Sequence, residues 1–303
     1  VPTTQNVRGC AGEIQMFEHK SVMAVFTIAA LAAGSAHAGI RGSKHDLGTG
    51  GTAQATTAAT TEVCVFCHTP HGATTGAAVP LWNKTLPAAT SYTRYSSLNT
   101  STLDGEEADV GSVSLACLSC HDGSQAMDTV INAPGSGGYN AAGAEIDPAA
   151  IGTMTGTVGA PGPGGTIPNL ETDLSNDHPI SIEYAGGACT TTLADCDPAT
   201  STAPRTDKDF NAIQYASINN TNQWWIDVPT WDSTGDGTRD QTGVADTREK
   251  SDIILYARTF TAGEGPSVEC GSCHDPHEDT ARPVSFLRIA NSNSDVCLAC
   301  HIK

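Results

Sequence analysis

Two cysteines separated by two residues and followed directly by histidine recur four times: Cys64-Val65-Phe66-Cys67-His68, Cys117-Leu118-Ser119-Cys120-His121, Cys270-Gly271-Ser272-Cys273-His274 and Cys297-Leu298-Ala299-Cys300-His301. C-x-x-C-H is the attachment sequence of a c-type haem, in which both thiols form thioethers to the porphyrin and the histidine binds iron from one side. A single copy would also suit part of a zinc site; four copies with one spacing do not. The eight cysteines Cys64, Cys67, Cys117, Cys120, Cys270, Cys273, Cys297 and Cys300 therefore hold four covalent haems, and His68, His121, His274 and His301 supply one axial ligand each.

The other axial ligands follow from a count. Of ten histidines, His19 and His37 fall in a stretch with the form of a secretory signal. Met16 opens a short, weakly basic segment, an apolar run extends from Ser21 to Gly34, and Ala36-His37-Ala38 makes an A-x-A cleavage site before Gly39. The run is shorter than the roughly 20 residues of a membrane span, and an uncleaved anchor is the alternative reading. Residues 1–15, with an isolated Cys10, read as an upstream-start artefact, 16–38 as a cleaved signal, and 39–303 as one tetrahaem domain with a haem-free insertion around 122–269. Export suits both covalent haem and disulfides.

Eight histidines then remain, and the four outside the motifs, His45, His71, His178 and His277, match the irons one for one. Methionine could serve instead, but only Met127 and Met154 follow the signal. Bis-histidine ligation leaves no open position for nitrite, hydroxylamine, peroxide or oxygen, so electron transfer is the chemistry available. His71 and His277 each stand three residues after a motif histidine, on the same side of a helical turn, and cannot bracket one haem with it. Each such module therefore holds one haem and lends a ligand to another, which brings the haems close together. His45 is paired with the first haem.

Charge narrows the partners. The predicted signal and the residues before it remove two acidic and two basic side chains, so the net charge stays at −18. Nucleic acid and anionic membrane surfaces are poor partners for such a chain. Redox proteins with cationic faces, or metal ions and oxides, are easier to accommodate. Aromatic residues make up 5% of the sequence, which predicts a weak side-chain core and a chain wrapped around its cofactors. The expected fold class is a multihaem cytochrome c: mostly irregular coil, a few short helices and minimal strand around a stacked chain of four haems.

Between the motifs the sequence is less regular. Gly39 to Thr61 lacks sustained apolar periodicity and reads as irregular, and Trp82 reads as a haem-packing aromatic. The motif starts are separated by 53, 153 and 27 residues, so the long gap follows the second. Within it lie a Gly/Pro-rich stretch from Gly159 to Gly165 and a short strand ending at Tyr184. Cys189 and Cys196 are the two mature cysteines outside the motifs and read as a local disulfide, since nearby histidines for a metal site are lacking. Asp232, Asp236 and Asp240 resemble the start of a calcium loop, but Gly243 stands where a bidentate glutamate belongs, and a solvated acidic turn is preferred. Lys250 to Phe260 reads as a packing helix.

The quoted islands resemble a known group. Gly39-Ile40-Arg41-Gly42-Ser43-Lys44-His45-Asp46, CVFCHTPH from Cys64 to His71, CLSCHDG from Cys117 to Gly123, SNDHPIS from Ser175 to Ser181, CGSCHDPH from Cys270 to His277, and Phe286-Leu287-Arg288 before CLACH are similar to the OmcE-type tetrahaem filament cytochromes, which are extracellular nanowires. The resemblance covers islands across residues 39–303 and little of the connections. It implies an irregular fold, bis-histidine haems in a continuous stack, and an extracellular homopolymer formed end to end. It also implies that His71 ligates a haem of the adjacent subunit. Thr191 to Asp246 would then be surface decoration. Competing readings are a monomeric periplasmic tetrahaem shuttle, a multihaem reductase, and a membrane-anchored quinol-oxidising cytochrome. The ligand count disfavours the reductase and the signal disfavours the anchor.

Overall fold

Each C-x-x-C-H motif folds as one helical turn. In three of them the histidine N–H donates to the carbonyl of the first cysteine: His68 to Cys64 at 2.8 Å, His274 to Cys270 at 3.0 Å, and His301 to Cys297 at 2.9 Å. Positions i, i+3 and i+4 of such a turn share a face, so the spacing itself gathers two thiols and an imidazole. The second motif ends helix α1 (Ser112–His121), the third forms α2 (Cys270–Cys273), and the fourth lies on and just beyond α3 (Asp295–Cys300). A reciprocal cap starts α2, with the Glu269 carboxylate accepting from the Ser272 N–H and the Ser272 hydroxyl accepting from the Glu269 N–H.

The computed structural model describes residues 39–51, 60–125, 127, 130–132, 169–187, 207, 209–228, 248, 252–277, 286–289 and 291–302. These fall within one compact unit, Ala38–Lys303. The segments expected as upstream artefact and signal, the Cys189–Cys196 bridge, Met154, and the calcium loop at Asp232, Asp236 and Asp240 lie outside the described residues. Among the described residues no helix is long and apolar enough to cross a membrane.

Five strands form one antiparallel sheet: β1 (Ile182–Glu183), β2 (Gln214–Ile218), β3 (Thr221–Ile226), β4 (Ile253–Phe260) and β5 (Gly263–Val268), in the order β1-β5-β4-β3-β2. Asn219 and Asn220, at φ 53° and 59°, turn β2 into β3, the left-handed pair that a two-residue type I′ hairpin requires. Gly263 opens β5 at φ 130°, where a side chain would be strained.

This sheet corrects two expectations. Strand is not minimal, and Lys250 to Phe260 is not a helix: its described part is β4, paired with β3 through Ile254↔Trp225 and with β5 through Tyr256↔Ser267. A short apolar run rich in β-branched residues suits either structure until its neighbours are known. Here two flanking strands claim its backbone groups. The short strand expected to end at Tyr184 is present as β1.

The sheet also supplies an ordinary side-chain core. Tyr184, Ile213, Trp224, Ile226, Ile253, Leu255 and Val268 cluster with Ile289 and Ala299, and Val296 and Cys300 of α3 pack against them. The reading of Thr191 to Asp246 as surface decoration is therefore corrected for its described part, where Trp224 and Trp225 are buried. A few large aromatics concentrated in one place achieve what a 5% average does not suggest. Helix α1 is held separately by Tyr92, Val110 and Leu174 against its Leu115 and Leu118.

Candidate haem-binding sites

The four turns bring consecutive modules together in sequence order. Cys67 and Cys120 both pack on the cluster of Leu47, Phe66 and Met127. The thiols of Cys117 and Cys270 share a hydrogen bond, which pushes Cys117 up and Cys270 down. Cys273 and Cys300 are both pushed up by burial, Cys300 to about 12, with Cys297 adding to the rise at Cys273 and Cys273 to that at Cys300. Attachment points thus run from the first module to the fourth, with neighbouring motif cysteines near enough to influence one another at every junction. All eight motif thiols are unbridged.

The junction of α1 with α2 is the most closely built. Ser114 Oγ accepts from the Cys270 N–H at 2.9 Å and donates to Glu269 Oε2 at 2.5 Å. Glu269, whose side chain is fully buried, also accepts from Ser267, Ser181 and Arg258, the last at 2.8 Å. A Cβ at position 271 would run into Tyr256 and Val113, so glycine lets the two helices approach.

Three pairs of imidazoles face one another. His68 and His277 are 6.2 Å apart between ring centres with planes 14° apart; His45 and His121 are 6.2 Å apart, and His178 and His301 6.5 Å apart. Two metal–imidazole bonds of about 2.0 Å, each extended by about 1.1 Å to the ring centre, span roughly 6 Å, so a six-coordinate iron fits between each pair. No imidazole stands at that spacing from His274 or from His71 among the described residues. Nor do three or more histidine, cysteine and carboxylate side chains there converge as a self-contained metal cage.

Backbone carbonyls and one carboxylate fix which ring nitrogen faces inward. Nδ1 of His68 donates to the Pro80 carbonyl at 2.7 Å, and Nδ1 of His178 to that of Pro179 at 3.0 Å. Nδ1 of His45 is 3.5 Å from the Pro276 carbonyl, and Nδ1 of His277 is 3.4 Å from Asp275. Holding Nδ1–H leaves the Nε2 lone pair for a metal. Burial, then the neighbouring His121, hold His45 down at about 4, which keeps its imidazole neutral at ordinary pH. Hydrogen bonding from His277 holds the Asp275 carboxyl down at about 2.

Aromatic rings complete the walls. Phe286 stacks on His45 at 4.1 Å, Phe210 lies 4.4 Å from His301, and Trp82 meets His68 edge-on at 6.0 Å. Trp82 therefore stands beside the first motif. His45, expected at the first haem, instead faces His121 of the second module, because Phe286 and Pro276 carry it to that side. His277 takes the place opposite His68. His71 is exposed, on a loop whose carbonyl accepts from Thr69 Oγ1 at 3.0 Å and Asn132 Nδ2 at 2.9 Å. Asp275, Phe210 and Phe286 were not anticipated as site residues. Asp275 and Phe286 lie inside the quoted islands, but only the folded chain connects them to an imidazole.

Residues 263–303, which hold the third and fourth motifs, match the family model described as the doubled CXXCH motif. A comparison with curated proteins gives no match. The repeated motifs and this match mark haem c attachment sites and point to a multihaem c-type cytochrome, with electron transfer as the function that accompanies it.

Proposed function

We propose that this multihaem chain is a bis-histidine tetrahaem electron carrier whose copies join end to end outside the cell into a conducting filament. One observation carries the proposal: within the chain, three imidazole pairs stand at the spacing of a shared iron, and His71 and His274 are left over. His71 is exposed, as a ligand for a second copy must be, whereas burial, and then His121, lower the pKa of His274. A closed monomer with four bis-histidine irons would place these two residues opposite each other. An open chain of copies instead offers His71 of one to the haem of His274 in the next. Linear contact of the modules supports conduction, because electron hopping needs neighbouring cofactors at every step. With all irons six-coordinate the chain would transfer electrons without activating a substrate.

His71→Ala tests this directly. The variant should keep four covalent haems by mass, show about one haem in four as high-spin in its oxidised spectrum, and form no filaments by negative-stain microscopy. Unchanged filaments, or wild-type protein that stays monomeric at high concentration, would favour the soluble shuttle.

A further inference from the structure

The loop that carries His71 is tied to the first motif through two asparagines. The Asn83 side chain is fully buried. Its Nδ2 donates to the Val65 carbonyl at 2.7 Å and to the Asn132 carbonyl at 2.8 Å, and its Oδ1 accepts from the Asn132 N–H at 2.9 Å. A side-chain amide has the same donor and acceptor as a peptide, so Asn83 pairs with both backbone groups of Asn132 as a neighbouring strand would. Backbone bonds run alongside: the Asn83 N–H donates to the Cys67 carbonyl at 2.9 Å, and the Ile131 N–H donates to the Asn83 carbonyl at 2.9 Å. The backbone of Asn132 is thereby fixed to the turn that holds Cys64, Cys67 and His68.

Asn132 in turn holds the loop. Its Nδ2 donates to the His71 carbonyl at 2.9 Å and to Thr69 Oγ1 at 3.1 Å, and Thr69 Oγ1 donates to the same His71 carbonyl at 3.0 Å. The three groups close a triangle in which Thr69 is buried and His71 is exposed. Gly72 follows at φ 68°, and a Cβ there would lie 3.4 Å from Asn132 Nδ2. A carbonyl on an exposed loop can be satisfied by water, which leaves the loop free to move. Here two side-chain donors, one from a residue 61 positions along the chain, take that place and fix the backbone from which the imidazole projects.

We propose that Asn83, Asn132 and Thr69 are positioning residues that brace the His71 loop in the shape in which a second copy of this chain binds it. The inference rests on the reading of His71 as a ligand to a haem of the next copy. A loop already in its bound shape avoids the ordering cost that a mobile loop incurs on association. The brace also sets the His71 backbone against the first motif, so each junction between copies repeats one geometry.

The test uses chains that carry four covalent haems by mass. Asn132→Leu is similar in size and uncharged, keeps the backbone groups that Asn83 holds, and deletes both donors to the loop. Cleavage between Thr69 and Gly72 by a broad-specificity protease, measured in the His71→Ala background, should quicken about tenfold when Asn132→Leu is added. With His71 intact, filaments of Asn132→Leu should elongate about tenfold more slowly and dissociate at the wild-type rate, because the substitution depletes the binding-competent shape of the free loop. Wild-type cleavage, or faster dissociation with unchanged elongation, would overturn the brace. If Asn132→Leu fails to mature, Thr69→Val decides alone, since it removes the other donor to the His71 carbonyl: faster cleavage with slower elongation supports the brace, and wild-type values count against it. Filaments unchanged in His71→Ala would remove the reading of His71 and this proposal with it. Filaments that need His71 but grow normally in Asn132→Leu would overturn the brace and leave that reading in place.

Discussion

At the scale of single residues, His45, His68, His178 and His277 each set Nδ1 against an oxygen. Most of these partners are carbonyls, but His277 faces a carboxylate, Asp275, which also accepts from the His277 backbone N–H at 2.9 Å and lies 3.9 Å from Arg288. A carboxylate behind a ligating histidine raises its basicity and favours the oxidised metal. On the proposed ligation, Asp275→Asn should raise the potential of the first haem by a few tens of millivolts, within the roughly 59 mV of a tenfold one-electron shift. Because the folded pKa of Asp275 is depressed from 3.8 to about 2, its contribution to stability is present above pH 3.8 and is lost as pH falls toward 2. An acid titration of intact protein monitored at the Soret band should leave the first haem's spectrum unchanged down to about pH 4. What the sequence made plain at this scale was the covalent chemistry, since C-x-x-C-H places its own ligands within one turn. Facing partners were not legible. The approach of His45 to His121 depends on Phe286 and Pro276, residues far from His45 in the chain whose meeting with it no local pattern encodes.

At the scale of elements, the helices that carry the second and third motifs are joined through a buried charge. Glu269 receives three hydroxyls and a guanidinium, and its side chain is out of solvent. Burial raises its pKa before the hydrogen bonds and Arg258 pull it back, so the carboxylate is held at a desolvation cost and depends on its partners. Removing one member of such a pair strands the other, and Glu269→Ala should destabilise the folded chain by about 3 kcal/mol, read as a lower midpoint in denaturant. Ser114→Ala, which removes one hydroxyl donor to that carboxylate, should cost about 2 kcal/mol. The sheet was the least legible element. Its two hairpins and β1 are separated from one another in sequence by long segments, and Ile253-Ile254-Leu255 has no alternation to declare a strand, because both its faces are covered. Burial on both sides erases the period-two signal on which a sequence reading depends.

For the whole molecule, charge opposes the proposed assembly. Copies carrying −18 repel one another at long range, and that repulsion is screened over about 8 Å at physiological ionic strength but over about 30 Å at 0.01 M salt. Filaments should therefore shorten or dissociate on dialysis into low salt and reform when salt is restored, with length followed by electron microscopy. Filament length that rises on salt removal would point to an interface built on attraction between opposite charges.

The hydrogen bond between the Cys117 and Cys270 thiols has a consequence for how the protein must be made. Two thiols that influence each other this strongly are, in an oxidising compartment, candidates for the wrong covalent bond. Haem delivery then becomes a race against oxidation: folding ahead of cofactor attachment would bring together thiols from two modules 153 residues apart and let them lock as a dead-end disulfide. Haem-free chain exposed to oxidant should yield a Cys117–Cys270 cross-linked peptide on mapping. A reductant supplied during maturation should restore the yield of protein with four haems.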